Sequence, residues 1–131
     1  MEDDMMEGKL TLRDMLKKVL MDLNATGEVY ASAIVSRNGL LMACEMPSDI
    51  DSRTFAAMTA TMVGAAETAF SELKKGVAER VIVEGREAKI IAMGAGKKAL
   101  LVTMSDPRAN LGLILLEMEK ASEKIRKLLG R

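Results

Sequence analysis

Two short segments, Lys89–Met93 (KIIAM) and Ala99–Met104 (ALLVTM), are apolar on both sets of alternating positions, and this restricts the fold more than any other stretch. A strand with two apolar faces must be covered on both sides. Gly94-Ala95-Gly96 between them marks a turn, and Gly85-Arg86 separates Lys89–Met93 from a third run, Arg80–Glu84 (RVIVE). Upstream, Val29–Ser36 and Leu40–Cys44 flank Asn38-Gly39, a strong short hairpin signal whose two turn residues are expected at positive φ. Five antiparallel strands are therefore predicted.

Three helices are predicted to provide the cover. Thr11 can cap the first, whose Leu12, Met15, Leu16, Val19, Leu20 and Leu23 form one stripe, with Asn24 and Gly27 ending it. Asp51 or Ser52 can cap a long helix running to about Lys75, stopped by Gly76. The last helix carries Leu111, Ile114, Leu115, Met118, Ala121, Ile125, Leu128 and Leu129 on one face. Asp106-Pro107 begins it directly, or forms a loop before an Asn110 cap. The order α-β-β-α-β-β-β-α, with three helices for two sheet faces, predicts an α/β (α+β) three-layer sandwich. Residues 1–9 are charged, Met-rich and unpatterned and read as a flexible leader, so the domain is placed at 10–131.

The long helix 52–75 lacks a charged stripe opposite its core stripe, as most surface helices have. A helical wheel groups Phe55, Met58, Met62, Phe70 and Leu73 with Ala66 and Ala69, which reads as the core face. Opposite lie Ala57, Ala60, Thr61, Gly64, Thr68 and Ser71, with no charge between Arg53 and Glu67. Small uncharged residues let another backbone approach closely, which suggests a covering protein surface. Strand 80–84 is a second interaction element. Two copies paired antiparallel about Ile82 would set Arg80 against Glu84 and Val81 against Val83. The same charges would also blunt a free sheet edge against aggregation.

The sequence argues against most catalytic chemistries. No histidine is present, which removes the commonest general base and most zinc or iron sites. The single cysteine, Cys44, reads as a small core hydrophobe. Met93-Gly-Ala-Gly-Lys-Lys98 is not a phosphate loop. Ile91 stands where its first glycine belongs, Lys98 where Ser or Thr belongs, and a strand follows in place of a helix. No cofactor or metal is expected. Nineteen basic residues balance 19 acidic ones, and the aromatics are only Tyr30, Phe55 and Phe70, so nothing favours nucleic acid. The acidic start lacks a signal-peptide pattern and Thr54–Ala66 is too short to span a bilayer, which predicts a cytoplasmic product.

Three segments together resemble the roadblock (dynein light-chain) family. They are Ala33–Ala43 (AIVSRNGLLMA), Arg80–Gly85 (RVIVEG) and Asp106–Leu113 (DPRANLGL), the last followed by Ile114–Met118. The match spans roughly residues 11–129, and Asp-Pro-x-Ala-Asn-x-Gly is its most specific part. The chain looks like the prokaryotic single-domain, MglB-like type. The resemblance implies strand order 2-1-5-4-3, with the first and third helices on one face and the second on the other. It also implies a homodimer joined through strand 80–84 and helix 52–75, acting without a catalytic residue as regulator or scaffold of a small Ras-like GTPase. The expected interface is then Ala57, Ala60, Thr61, Gly64, Thr68, Ser71, Arg80, Val81, Ile82, Val83 and Glu84. Arg37, Arg53, Arg86 and Arg108, at turns and helix starts, are candidate GTPase contacts, each against the plainer reading of a solvated surface arginine. A small-ligand sensor of profilin-like or PAS-like kind is the alternative, and it needs a pocket with convergent polar groups.

Overall fold

The computed structural model describes residues 10–130; the leader proposed for residues 1–9 lies outside them. Its elements are α1 (Leu12–Asn24), β1 (Ala31–Ser36), β2 (Leu41–Glu45), α2 (Ser52–Glu72), β3 (Arg80–Glu84), β4 (Lys89–Gly94), β5 (Ala99–Ser105) and α3 (Leu111–Leu128). The strands form one antiparallel sheet in the order β2-β1-β5-β4-β3. β1 and β5 run side by side from Ala31 opposite Met104 to Ser36 opposite Ala99, so the first and last strands of the chain meet at the sheet's centre.

The strand alternation splits the interior into two layers. Ile34, Ile91, Met93 and Leu101 face α1 and α3, where Leu16, Leu20, Leu23, Ile114, Met118 and Ile125 are buried. Ala33, Val35, Ala92, Leu100 and Val102 face α2, which buries Phe55, Ala56, Ala60 and Val63. The expected three-layer sandwich is therefore present, with α1 and α3 on one face and α2 on the other.

Local chemistry explains the element boundaries. Thr11 and Asp14 form a reciprocal capping box at the start of α1. Asp51 caps α2 through the Arg53 and Thr54 amides, and Asn110 caps α3 through the Leu113 amide, leaving Pro107 in the preceding loop. The β1–β2 turn departs from expectation. Only Gly39 takes a positive φ, at 94°, while Asn38 does not. The Gly39 amide donates to the Ser36 carbonyl and the Ser36 amide to that of Leu40. Such a longer turn ending in a left-handed glycine is the next commonest hairpin solution. Helix α2 ends at Glu72, short of Lys75, and the left-handed residue that terminates it is Lys74 (φ 55°) ahead of Gly76 (φ 86°). The Lys75 amide donates back to the Phe70 carbonyl, so the helix is closed by backbone bonds before the glycine is reached.

Candidate interaction surface

The face of α2 turned to the sheet is not the one expected from residue size. Phe55 is buried and Met62 half-buried, but Met58 is 60% exposed, Phe70 41% and Leu73 68%. The core contacts come instead from Ala56, Thr59, Ala60 and Val63. Ala60, expected on the outer face, is thus buried at 8% exposure. The reason lies in the sheet. It presents Ala33, Val35 and Ala92 beneath the helix, and small residues on both sides bring backbone close to backbone. Thr59 is tolerated inside because its hydroxyl donates to the Phe55 carbonyl at 2.7 Å. Phe70 and Leu73 lie where the helix runs out toward its end.

The outward side of α2 is accordingly rotated, not abolished. Ala57, Thr61, Thr68 and Ser71 are exposed and Gly64 is half-exposed, as expected, and Met58, Ala65 and Ala69 join them. No charge interrupts this strip. Beyond it, β3 is an edge strand, hydrogen-bonded only to β4. Val81 and Val83 share the α2 face with Ala92 and Ile90, their opposite numbers on β4. Val81 is half-buried there, while Val83 and Ile82 are exposed. Arg80 and Ile82 point to the other face, and Arg80 forms an ion pair with Glu119 of α3 at 3.0 Å. Glu84 stands opposite Lys89. The α2 strip and the β3 edge are neighbours in the fold, and between Arg80 and Glu84 the edge strand is apolar.

The four arginines are not brought together. Arg37 is committed within the chain. Its guanidinium pairs with Glu67 at 2.6 Å and donates to the Gly96 carbonyl at 3.1 Å. Gly94 leaves the space it needs, since a Cβ there would sit 2.9 Å from Arg37 Nη2. Arg53 lies across a groove from Gly39, Leu40 and Leu41, on the same side of the domain as Arg37. Arg86 and Arg108 lie at the opposite end, in the β3–β4 turn and the β5–α3 loop. Arg108 forms a two-pronged pair with Asp106, at 3.1 and 3.2 Å. That pairing holds the Asp106 carboxyl below its ordinary range and the guanidinium above its own.

Two cavities among the described residues carry polar linings, and neither gathers a set of free polar groups around one point. One of about 520 Å³ is lined by Glu28, Tyr30, Asp106, Arg108 and Asn110. Its carboxylates are already used, Asp106 by Arg108 and Glu28 by the Asn110 amide at 2.8 Å. A second, of about 310 Å³, lies between α2 and the start of β3, and its polar rim holds the Arg37–Glu67 pair, Arg80, which pairs with Glu119, and Glu79. Among the described residues no group of acidic, cysteine or histidine side chains could hold a metal ion, and no helix is long and apolar enough to cross a membrane.

A sheet in the order 2-1-5-4-3, with an edge strand beside a bare helix face, is the arrangement implied by the sequence resemblance. The Roadblock/LC7 domain profile matches residues 15–105. The chain belongs to that family. An uncharacterized protein of Methanocaldococcus jannaschii is 36% identical over 112 residues, covering 86% of this chain and 97% of its own. Two solved structures share the fold. Myxococcus xanthus MglB superposes with a TM-score of 0.85 at 23% identity, covering 93% of this chain and 92% of its own. The gliding protein MglB of Thermus thermophilus gives 0.81 at 21% identity, covering 92% of both. The profile match to this Roadblock/LC7 domain stops at Ser105, so the Asp106–Leu113 motif lies beyond it. The structural likeness runs on through most of the remaining chain.

Proposed function

We propose that this Roadblock/LC7 domain is a non-catalytic, homodimeric regulator or scaffold for a small Ras-like GTPase. The observation that carries the reading is the continuous surface of α2 and β3. It comprises an uncharged strip, Ala57, Thr61, Gly64, Ala65 and Thr68, beside an unpaired strand edge with Ile82 and Val83 exposed. Large exposed apolar surface next to an open edge is costly for a monomer to keep and is the usual mark of a protein contact. Two β3 strands related by a two-fold axis at Ile82 would continue the sheet, with Arg80 opposite the partner's Glu84. Arg80 would then share its charge between that carboxylate and Glu119 of its own α3. The GTPase would take what the dimer leaves of the α2 face, beside Arg53. Membership of the family and the fold shared with MglB support this reading.

The test is substitution of an outward position that packs on nothing within the chain. Thr61→Arg is exposed, so the fold survives, and self-association measured by light scattering is expected to fall from dimer to monomer. Capture of a Ras-like GTPase on the wild-type protein, and its loss on the variant, is the second readout. A wild-type protein that is monomeric at all concentrations would overturn the dimer. A dimer unaffected by Thr61→Arg would move the contact off this strip.

A further inference from the structure

The two edges of the sheet are not equally open. At β2 the Lys17 ammonium donates to the Cys44 carbonyl and pairs with Glu45 at 3.0 Å. A register shift between Ile34 and Val35 interrupts the pairing of that strand with β1. A side chain on the strand's backbone and an irregular ladder both discourage a further strand. β3 pairs with β4 residue for residue from Arg80 to Glu84, without a shift. A strand added to this domain is therefore received at β3.

Helix α2 crosses the strands and outruns them at that edge. Its first turns lie against the β1–β2 turn, where Ala57 and Ala60 approach Gly39. Further on, Val63 and Glu67 line the cavity at the start of β3, together with Arg80 and Val81. From Ala57 to Glu67 the helix rises about 15 Å. β1 and β3 are separated by β5 and β4, so they stand about 14 Å apart. The last turn of α2 and the residues after it therefore lie beyond β3, and Val77 borders the cavity on the way back to the strand. This position accounts for Phe70, Leu73 and Val77, which are exposed at 41, 68 and 79%. The sheet of this chain ends before it reaches them.

On the α2 face of β3 the complementary cover is missing. Val81 is half-buried, whereas Val83 is 41% exposed. We infer that the overhanging end of α2 anchors self-association: Phe70, Leu73 and Val77 of each protomer cover the partner's Val83. This rests on the homodimer proposed above and names the side chains that hold it. With the two-fold axis at Ile82, the partner's Val83 comes opposite Val81, on the same face of the joined sheet. The added strand lies about 5 Å beyond β3, where the overhang begins. Each protomer thus supplies the cover that the other's edge lacks, and the symmetry makes the contact reciprocal. Glu72, Lys74 and Lys75 are exposed around the apolar side chains and form a polar rim. Large apolar side chains enclosed by such a rim carry most of a contact's affinity.

Analytical ultracentrifugation of the full chain tests this with the double variant Leu73→Ser, Val77→Ser. Both side chains are exposed within the protomer, so the fold is kept, and an unchanged far-UV spectrum verifies it. The dimer dissociation constant should rise about hundredfold or more, because two apolar side chains are lost on each side of the axis. The wild-type chain provides a second readout that needs no variant. In a dimer mixed from isotope-labelled and unlabelled chains, filtered NOEs are expected between the Leu73 or Val77 methyl groups and the partner's Val83. A dimer without these NOEs, or one as tight in the variant as in the wild type, would overturn the anchor and leave the homodimer standing. A wild-type chain that is monomeric at all concentrations would remove the homodimer and the anchor together.

Discussion

The two faces of the sheet are built to different specifications. Toward α1 and α3 the interior is assembled from Leu, Ile and Met, and Leu20, Ile34, Ile91, Leu101, Ile114, Met118 and Ile125 are all fully buried. Toward α2 it is mostly Ala and Val, with Phe55 and Leu100 as the main large members. Apolar area removed from water is the dominant stabilising quantity, at about 25 cal/mol per Å². The first face therefore holds the fold together. The second holds one helix close to the sheet and leaves that helix's other side bare. The larger share of the stabilising burial and the proposed contact surface thus lie on opposite sides of one sheet.

The sharpest way to break that comparison is to cut the same kind of hole in each layer. Met118→Ala on α3 removes a fully buried side chain that also accepts a 3.3 Å hydrogen bond from the Thr103 hydroxyl. Its expected cost is about 2–5 kcal/mol, measured by urea unfolding. Val63→Ala on α2 should cost about 1–2 kcal/mol, since only two methyl groups are lost from a layer already thin. Equal losses from the two variants would show that α2 contributes to the core as strongly as α3 does, and the division of labour would fail.

The sequence carried one side of this comparison well and misplaced the other. For α3, the buried set Ile114, Met118, Ala121 and Ile125 is part of the stripe read from helical spacing. There large residues and inward positions coincide, because the facing sheet has room for them. For α2, ranking positions by size selected Met58, Phe70 and Leu73, all exposed. The inward positions are Ala56, Thr59, Ala60 and Val63, and what selects them is Ala33 and Ala92 beneath. A residue's own size gives no sign of how small its distant neighbours are. Most of the outer strip survived the error because the helix lacks charge nearly all round. Only Ala60 of the six expected outer positions proved buried.

The end of α2 provides a smaller test, on the side of the comparison that is not built for stability. Lys74 is the one non-glycine residue in the described chain with a positive φ, at 55°. A side chain there meets the following carbonyl, at a cost of about 1 kcal/mol relative to glycine. Lys74→Gly should therefore stabilise the protein by about that amount, less the entropy that glycine adds to the unfolded chain. A thermal melt would detect this as a rise of a few degrees. If instead the melting temperature falls, the Lys74 side chain makes a favourable contact that outweighs the strain, and the termination of α2 is more than a backbone matter.

The smallest effect separates the caps of the two helices that face each other through the sheet. Asp51 caps α2 with a carboxylate, and its hydrogen bonds from Thr54, backbone and side chain, hold its pKa below the ordinary value, with the Arg53 amide and charge adding to this. Asn110 caps α3 with a side chain that does not titrate. A carboxyl whose pKa is lower folded than unfolded stabilises the fold above the unfolded value, about 3.9, and loses that contribution as pH falls through the folded value. Acid should therefore weaken the start of α2 below about pH 4 while the start of α3 is untouched. Asp51→Asn keeps a good cap and removes the titration. The difference in stability between wild type and this variant should shrink as the pH is lowered through that window. Hydrogen exchange at the Arg53 and Thr54 amides should rise with acid in the wild type and not in the variant. A difference that stays constant with pH would mean that Asp51 holds α2 by hydrogen-bond geometry alone. Its charge would then play no part in holding the start of the helix.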